Sequence, residues 1–133
     1  MFSNQAISNA LQQPWTARYA KFLACILGYG VLVHIGNMAG LTGTPWFATP
    51  LLWRVMDIVL LLFNGVSAIA LWRGLPWSVW STFGGIALLQ FLPYTLLRSQ
   101  FILQPEDTST LNGLLGTEAL LLGIFALLIW SKK

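Results

Sequence analysis

The amino-acid sequence predicts an all-α, polytopic membrane protein: one domain, residues 1–133, folded as an antiparallel bundle of four transmembrane helices. Three observations predict it. Only 8% of the residues are charged while 56% are hydrophobic, against about 25% charged in an ordinary soluble domain. Too little polar surface remains to keep a globule in water. Four apolar segments reach the roughly 20 residues that a helix needs to cross a bilayer. The lysines and arginines, finally, gather on alternate connections, as they do when cytoplasmic loops retain positive charge. The spans are expected at about 17–38, 50–73, 76–97 and 110–130.

The elements follow in order. Residues 1–16 begin "MFSNQAISNALQQPW", polar with scattered apolar residues and no charge. They read as a cytoplasmic tail or a short interfacial segment stopped by Pro14. In span 1, Arg18 and Lys21 precede an apolar core, which is also how a signal peptide begins. No small-x-small cleavage pattern follows, and three more spans do, so the segment is retained as a span. Cys25 is the single cysteine, which excludes an internal disulfide and a CxxC redox centre. It reads as a small apolar residue. The connection "MAGLTGTPWFATP" is uncharged and rich in Gly, Thr and Pro, hence irregular.

Spans 2 and 3 are separated by only a few residues. Gly74 can end one helix and Pro76 suits the first turn of the next, where its missing N–H costs nothing. A tight antiparallel hairpin results. Pro93, inside span 3, removes one backbone hydrogen bond and frees the carbonyl of Leu89 beside Gln90, which can widen one half of the bundle. "QPEDTSTLNG" supplies acids and hydroxyls ahead of span 4, as a helix N-terminus prefers. Trp15, Trp46, Trp53, Trp72, Trp77, Trp80 and Trp130 all fall near span ends and read as an interfacial belt.

Orientation follows from charge. Arg18, Lys21, Arg73, Lys132 and Lys133 would share one side, and Arg98, Arg54, Glu106 and Asp107 the other. Both termini are therefore expected in the cytoplasm, in a bacterial inner (plasma) or thylakoid-type membrane.

The polar residues within the spans concentrate toward the opposite, outer side. At about 1.5 Å per residue, Asp57 comes out roughly 7 Å outside the midplane, Arg54 about 11 Å, His34 about 10 Å and Glu118 about 3 Å. Helical register groups Leu23, Leu27, Gly30, His34 and Asn37 on one face of span 1. It groups Arg54, Asp57, Leu61, Asn64 and Ala68 on span 2, and Phe83, Ala87, Gln90, Tyr94 and Arg98 on span 3. Each face should point inward, because a charge facing lipid costs at least a few kcal/mol. Arg54 and Asp57, three residues apart, can pair with each other or reach across to neighbours. Glu118 lacks a partner on its own helix, and Arg54, Arg98 and His34 are the groups that could approach it. His34, Arg54, Asp57, Gln90, Tyr94, Arg98 and Glu118 are thus the candidate binding residues. On span 4, Gly116, Ala119 and Gly123 form a small-residue strip suited to close helix contact.

Several function classes drop out. The net charge of +3 is dispersed, with no basic stripe to track phosphates, so nucleic acid is not an expected partner. A single histidine cannot supply both axial ligands of a bis-His haem. His34, Asp57 and Glu118 carry no recognised metal spacing. No Gly-rich phosphate loop, zinc motif or nucleophile elbow occurs, so no catalytic residue, metal or cofactor is assigned. The expected function is that of a small non-enzymatic integral membrane protein, an accessory or assembly subunit of a larger complex. Its partners would be membrane proteins or lipids, in homo- or hetero-oligomers. The alternative is a pocket protein that binds or transports a small solute or a lipophilic quinone-like molecule through the outer polar cluster.

Overall fold

α1 (Asn4–Leu11) starts at Ser3, whose Oγ accepts from the Ala6 amide at 3.1 Å, and buries Ile7, Ala10 and Leu11. This computed structural model describes residues 3–41, 43, 45–102 and 104–131. Lys132 and Lys133, two of the orienting cations, lie outside the described residues, as do Thr42 and Thr44 of the first long connection. Gln13 is extended (φ −68°, ψ 137°), as the residue before a proline must be. Pro14 then opens α2 (Pro14–Met38) at a position where no N–H is missed.

α2 ends in a Schellman motif. Gly40 takes φ 76°, its amide donates to Asn37 O at 3.2 Å, and the Leu41 amide reaches Gly36 O at 3.0 Å. A 3-10 turn (Trp46–Ala48) bounded by Pro45 and Pro50 leads into α3 (Leu51–Trp72). α3 closes the same way: Gly74 at φ 66° bonds Leu71 O, and the Leu75 amide bonds Ala70 O. The expected tight reversal between α3 and α4 (Trp77–Ile86) is thereby built on Gly74 and Pro76.

α4 does not run on as a regular helix. Ala87–Phe91 form a π-helical turn in which the Leu92 amide donates to Ala87 O, five residues back. α5 (Leu92–Leu96), with Pro93 in its first turn, continues the axis, and a 3-10 turn (Arg98–Phe101) ends it. Pro93 has no N–H to offer the Leu89 carbonyl, and the ladder accommodates that loss by taking in one extra residue. α6 (Pro105–Ser131) carries Glu106 and Asp107 in its first turn, and Asp107 Oδ2 accepts the Gln104 amide at 3.0 Å in half of a capping box.

No strand occurs among the described residues, and three helices, α2, α3 and α6, are long and apolar enough to cross a membrane. α2 and α3 make the most extensive contact. They run antiparallel, with Gly30 against Asn64 and Val31 against Gly65 toward the middle, and His34 against Asp57 nearer one end. A Cβ on Gly30 would stand 2.6 Å from Asn64 Nδ2, so glycine sets this closeness. Ser67 and Ser81 share a 2.7 Å hydrogen bond between α3 and α4, and Phe63 packs directly onto Gly85.

The tightest packing lies at the end that holds α1. There Ile7, Ala10 and Leu11 meet Ala20, Leu23, Leu71, Phe125 and Ile129. Phe125 is fully buried, with the Phe83 ring stacked 5.9 Å away and the Tyr19 ring at 5.8 Å. Tyr19 Oη donates to Leu121 O at 2.6 Å. The N-terminal segment is thus a helix docked on α2 and α6. Packing loosens toward the opposite end, where the polar residues collect.

Candidate functional site

Asp57, one turn and a half into α3, is 8% exposed and collects donors from two other segments. His34 Nδ1 lies 2.7 Å and Asn37 Nδ2 3.1 Å from its Oδ1, both from the last turns of α2. Trp46 Nε1 donates to Oδ2 at 2.8 Å from the 3-10 turn. A carboxylate is an acceptor, so Nδ1 of His34 is assigned the proton in this pairing, a tautomer that leaves Nε2 as an acceptor. Of the two arrangements open to Arg54 and Asp57, the carboxylate reaches across to neighbouring segments. Arg54 turns away, its guanidinium 5.9 Å over the Phe47 ring, with Nε lacking a hydrogen-bond partner among the described residues.

These groups border a cavity of about 590 Å³. Its walls come from four elements: Val33, His34 and Asn37 of α2; Trp53, Met56, Asp57 and Leu60 of α3; Tyr94 of α5; and Asp107, Thr110, Leu111 and Leu114 of α6. Trp46 and Phe101 add rings from the two 3-10 turns. Trp53 is fixed by a 2.9 Å bond from Nε1 to Gln100 O and by a near-parallel stack on Phe101, and Tyr94 meets Phe101 edge-on at 4.9 Å.

The seven candidate residues divide into groups. His34, Asp57 and Tyr94 face the cavity together. Gln90 and Glu118 form a second, deeper pair: the amide orientation that satisfies hydrogen bonding has Gln90 donate to both carboxylate oxygens of Glu118. None of Arg54, Arg98 and His34, the expected partners of Glu118, is the group that meets it. Arg98 stays near the end of the bundle and ties α5 to α6, bonding Thr108 O at 3.1 Å, Asn112 Oδ1, and Tyr94 O of its own turn. His34, Asp57 and Glu118 are accordingly divided between two clusters and do not converge as a metal set. The strip of Gly116, Ala119 and Gly123 faces outward, and nothing lies within 4 Å of a Cβ placed on Gly116 or Gly123.

Two site groups stand outside the sequence expectation. Trp46 and Trp53 were expected in the interfacial belt, yet both line the cavity, while Trp15, Trp72, Trp77, Trp80 and Trp130 are exposed. The prolines on either side of the Trp46 turn, at 45 and 50, were the available signal, since they fix the path of the chain. Asp107 and Thr110 were read only as acids and hydroxyls of the run ahead of span 4, which was expected to begin at about residue 110. Pro105 followed by two acids marks the earlier start.

The chain matches no known family model, no curated protein and no solved structure. Its class is therefore defined by its own architecture, an all-helical protein whose long apolar helices suit a membrane.

Proposed function

We propose that the chain is an integral membrane protein of four antiparallel spans that binds a lipophilic molecule with polar substituents in the cavity beside Asp57. The fourth span is the run from Trp77 to Leu96, helical without a break and about 30 Å long at 1.5 Å per residue. Arg18, Lys21 and Arg73 at one end outnumber Arg54 and Arg98 at the other, which favours cytoplasmic termini in a bacterial inner or thylakoid-type membrane.

One observation carries the binding reading. The polar network does not close on itself but borders a void of about 590 Å³, inside the ~300–1,000 Å³ range of small-molecule sites. A network whose only task was to fix helix packing would be expected to fill its space. The walls combine aromatic and aliphatic surface with a few polar groups, the usual make-up of such sites. Among the described residues, His34 Nε2 and the Tyr94 hydroxyl make no hydrogen bond within the chain, so both can serve a ligand. A quinone- or quinol-like ring, with oxygens able to accept from Tyr94 and donate to His34, suits that pair.

The test is extraction of the tagged chain from its native membrane in gentle detergent, with mass spectrometry of the small molecules that remain. A stoichiometric lipophilic compound, depleted when Leu114→Trp fills the cavity, is expected. Only bulk lipid, unchanged by Leu114→Trp, would sink the proposal. A second reading, an accessory subunit of a larger membrane complex, draws on the outward strip of α6. It requires a stoichiometric larger membrane protein that is lost on Gly116→Leu or Gly123→Leu.

A further inference from the structure

At the end of the bundle away from the cavity, α2 and α3 leave a second, shallower groove of about 250 Å³. It is lined by Ala24 and Cys25 of α2, Ala68, Ile69 and Trp72 of α3, and Arg73 just beyond them. Three of these six are small, so the helices present a slot rather than a ridge. Its mouth is cationic. Arg73 is exposed at the end of α3, and Lys21, one turn before Cys25, places Nζ 5.1 Å from the centre of the Trp72 ring. Neither cation makes an ion pair among the described residues.

The chain's acids are elsewhere. Of its four, Glu106 and Asp107 open α6 at the far end and Asp57 lies with His34. Glu118 stands 13 residues before Ser131, about 20 Å along the helix. Two cations that make no ion pair among the described residues, flanking an indole at the head of an apolar slot, match the shape and charge of one kind of molecule.

We propose that this groove binds an anionic phospholipid, with its phosphate between Lys21 and Arg73 and an acyl chain along Ala24, Cys25 and Ala68. The occupant is a lipid rather than free phosphate because the slot beneath the charges is apolar and continues along the helices. The indole of Trp72 suits the level at which headgroup and acyl chain meet. The inference rests on α2 and α3 spanning the bilayer. It is independent of what fills the other cavity.

The experiment reconstitutes the full chain into phosphatidylcholine vesicles containing a brominated phosphatidylglycerol, and in parallel a brominated phosphatidylcholine at the same level. Quenching of Trp72 is isolated by subtracting the signal of Trp72→Phe. Excess quenching by phosphatidylglycerol is expected in the wild type. Each of Lys21→Gln and Arg73→Gln should weaken that preference about fivefold, and the pair together roughly thirtyfold. Cys25→Phe, at an exposed wall position, should reduce quenching by the brominated chain while the charges stay.

Equal quenching by the two lipids would overturn the proposal. So would a preference that survives the double substitution, or one that Arg18→Gln weakens as much as Arg73→Gln, since Arg18 sits over Trp15, 5.3 Å from its ring centre, and outside the groove. Should a charge variant fail to fold, Cys25→Phe decides alone: undiminished quenching overturns the proposal. Protein that resists alkaline extraction from the vesicles yet shows no preference removes the lipid site and leaves the spanning reading intact. Protein that is washed off removes both.

Discussion

The bond between Trp46 and Asp57 makes a quantitative prediction about how the first long connection is held. Asparagine at position 57 keeps one oxygen. Set where Oδ1 stands, that oxygen still accepts from His34 and Asn37, but its amide nitrogen then faces Trp46 Nε1, donor against donor. Trp46→Phe removes the same bond from the other side and leaves His34 and Asn37 untouched. A double-mutant cycle between Asp57→Asn and Trp46→Phe therefore reports the lost bond together with the donor–donor clash that Asp57→Asn introduces. Side-chain hydrogen bonds between membrane helices average roughly 0.6 kcal/mol, with a maximum near 1.7 kcal/mol. A bond to a charged acceptor is about twice as strong as a neutral one, and the 2.8 Å length is that of a well-formed bond. The expected coupling is about 1–2 kcal/mol, less than the sum of the two single losses, because Asp57→Asn also weakens the bonds from α2.

The assay is unfolding in mixed micelles by titration with sodium dodecyl sulfate, followed by far-ultraviolet circular dichroism, on wild type, both single variants and the double variant. If both single variants fold and the coupling is zero within error, Trp46 is not latched to Asp57. The cavity would then lack the wall that the 3-10 turn provides.

Three further outcomes are expected. Gly85→Ala drives a methyl into the Phe63 ring and should destabilise by about 1–3 kcal/mol in the same titration; Phe63→Leu in the same chain should recover much of that loss. Gly74→Ala places a side chain at φ 66° in the α3–α4 reversal; a cost of about 1–2 kcal/mol read by the same unfolding midpoint is expected, and no cost would mean the reversal is not built on a left-handed residue. Pro93→Ala restores the amide whose loss the π-helical turn accommodates. Reversion to regular helix would rotate Gln90 by about 100° relative to α5, so a short thiol cross-linker joining Gln90→Cys to Glu118→Cys in a Cys25→Ala background should work with Pro93 and fail without it.

How far the fold was legible depends on which local rule each segment obeys. α2 obeyed the simplest one. Its expected inward line, Leu23, Leu27, Gly30, His34 and Asn37, is the line that meets α3, because the helix is regular from Pro14 to Met38. In span 3 the expected line of Phe83, Ala87, Gln90 and Tyr94 fails upstream of Gln90. Ala87 is exposed, and the buried residues are Ser78, Val79, Thr82, Ile86 and Gln90, with Phe83 half-buried against Phe125. The π-helical turn accounts for the shift: one inserted residue displaces every position on its N-terminal side by one place. Pro93 signalled that the ladder would be broken, but not whether it would kink, open to water or widen by a residue. That choice is made by packing, here of Phe63 on Gly85 and of Ser81 on Ser67.

The site divides along the same line between what is local and what is not. That Asp57 would need partners followed from its depth. Which partners it would find could not follow from charge alone. Arg54, three residues away, sits closer to the end of α3, where a long side chain can turn its guanidinium onto the face of Phe47. Asp57 has a short stem and cannot follow it, so donors must come to the carboxylate. They come from segments already fixed for other reasons: α2 by its close approach through Gly30, and the Trp46 turn by the prolines around it. Glu118 shows the same economy at greater depth, meeting a neutral amide that the π-helical turn has brought inward, not one of the chain's arginines. Neutral donors are the less costly partners there, since an arginine's charge would itself have to leave water. Among the described residues the cations that remain, Arg18, Lys21 and Arg73, lie at the other end of the bundle, where Arg18 and Lys21 stand over indole rings.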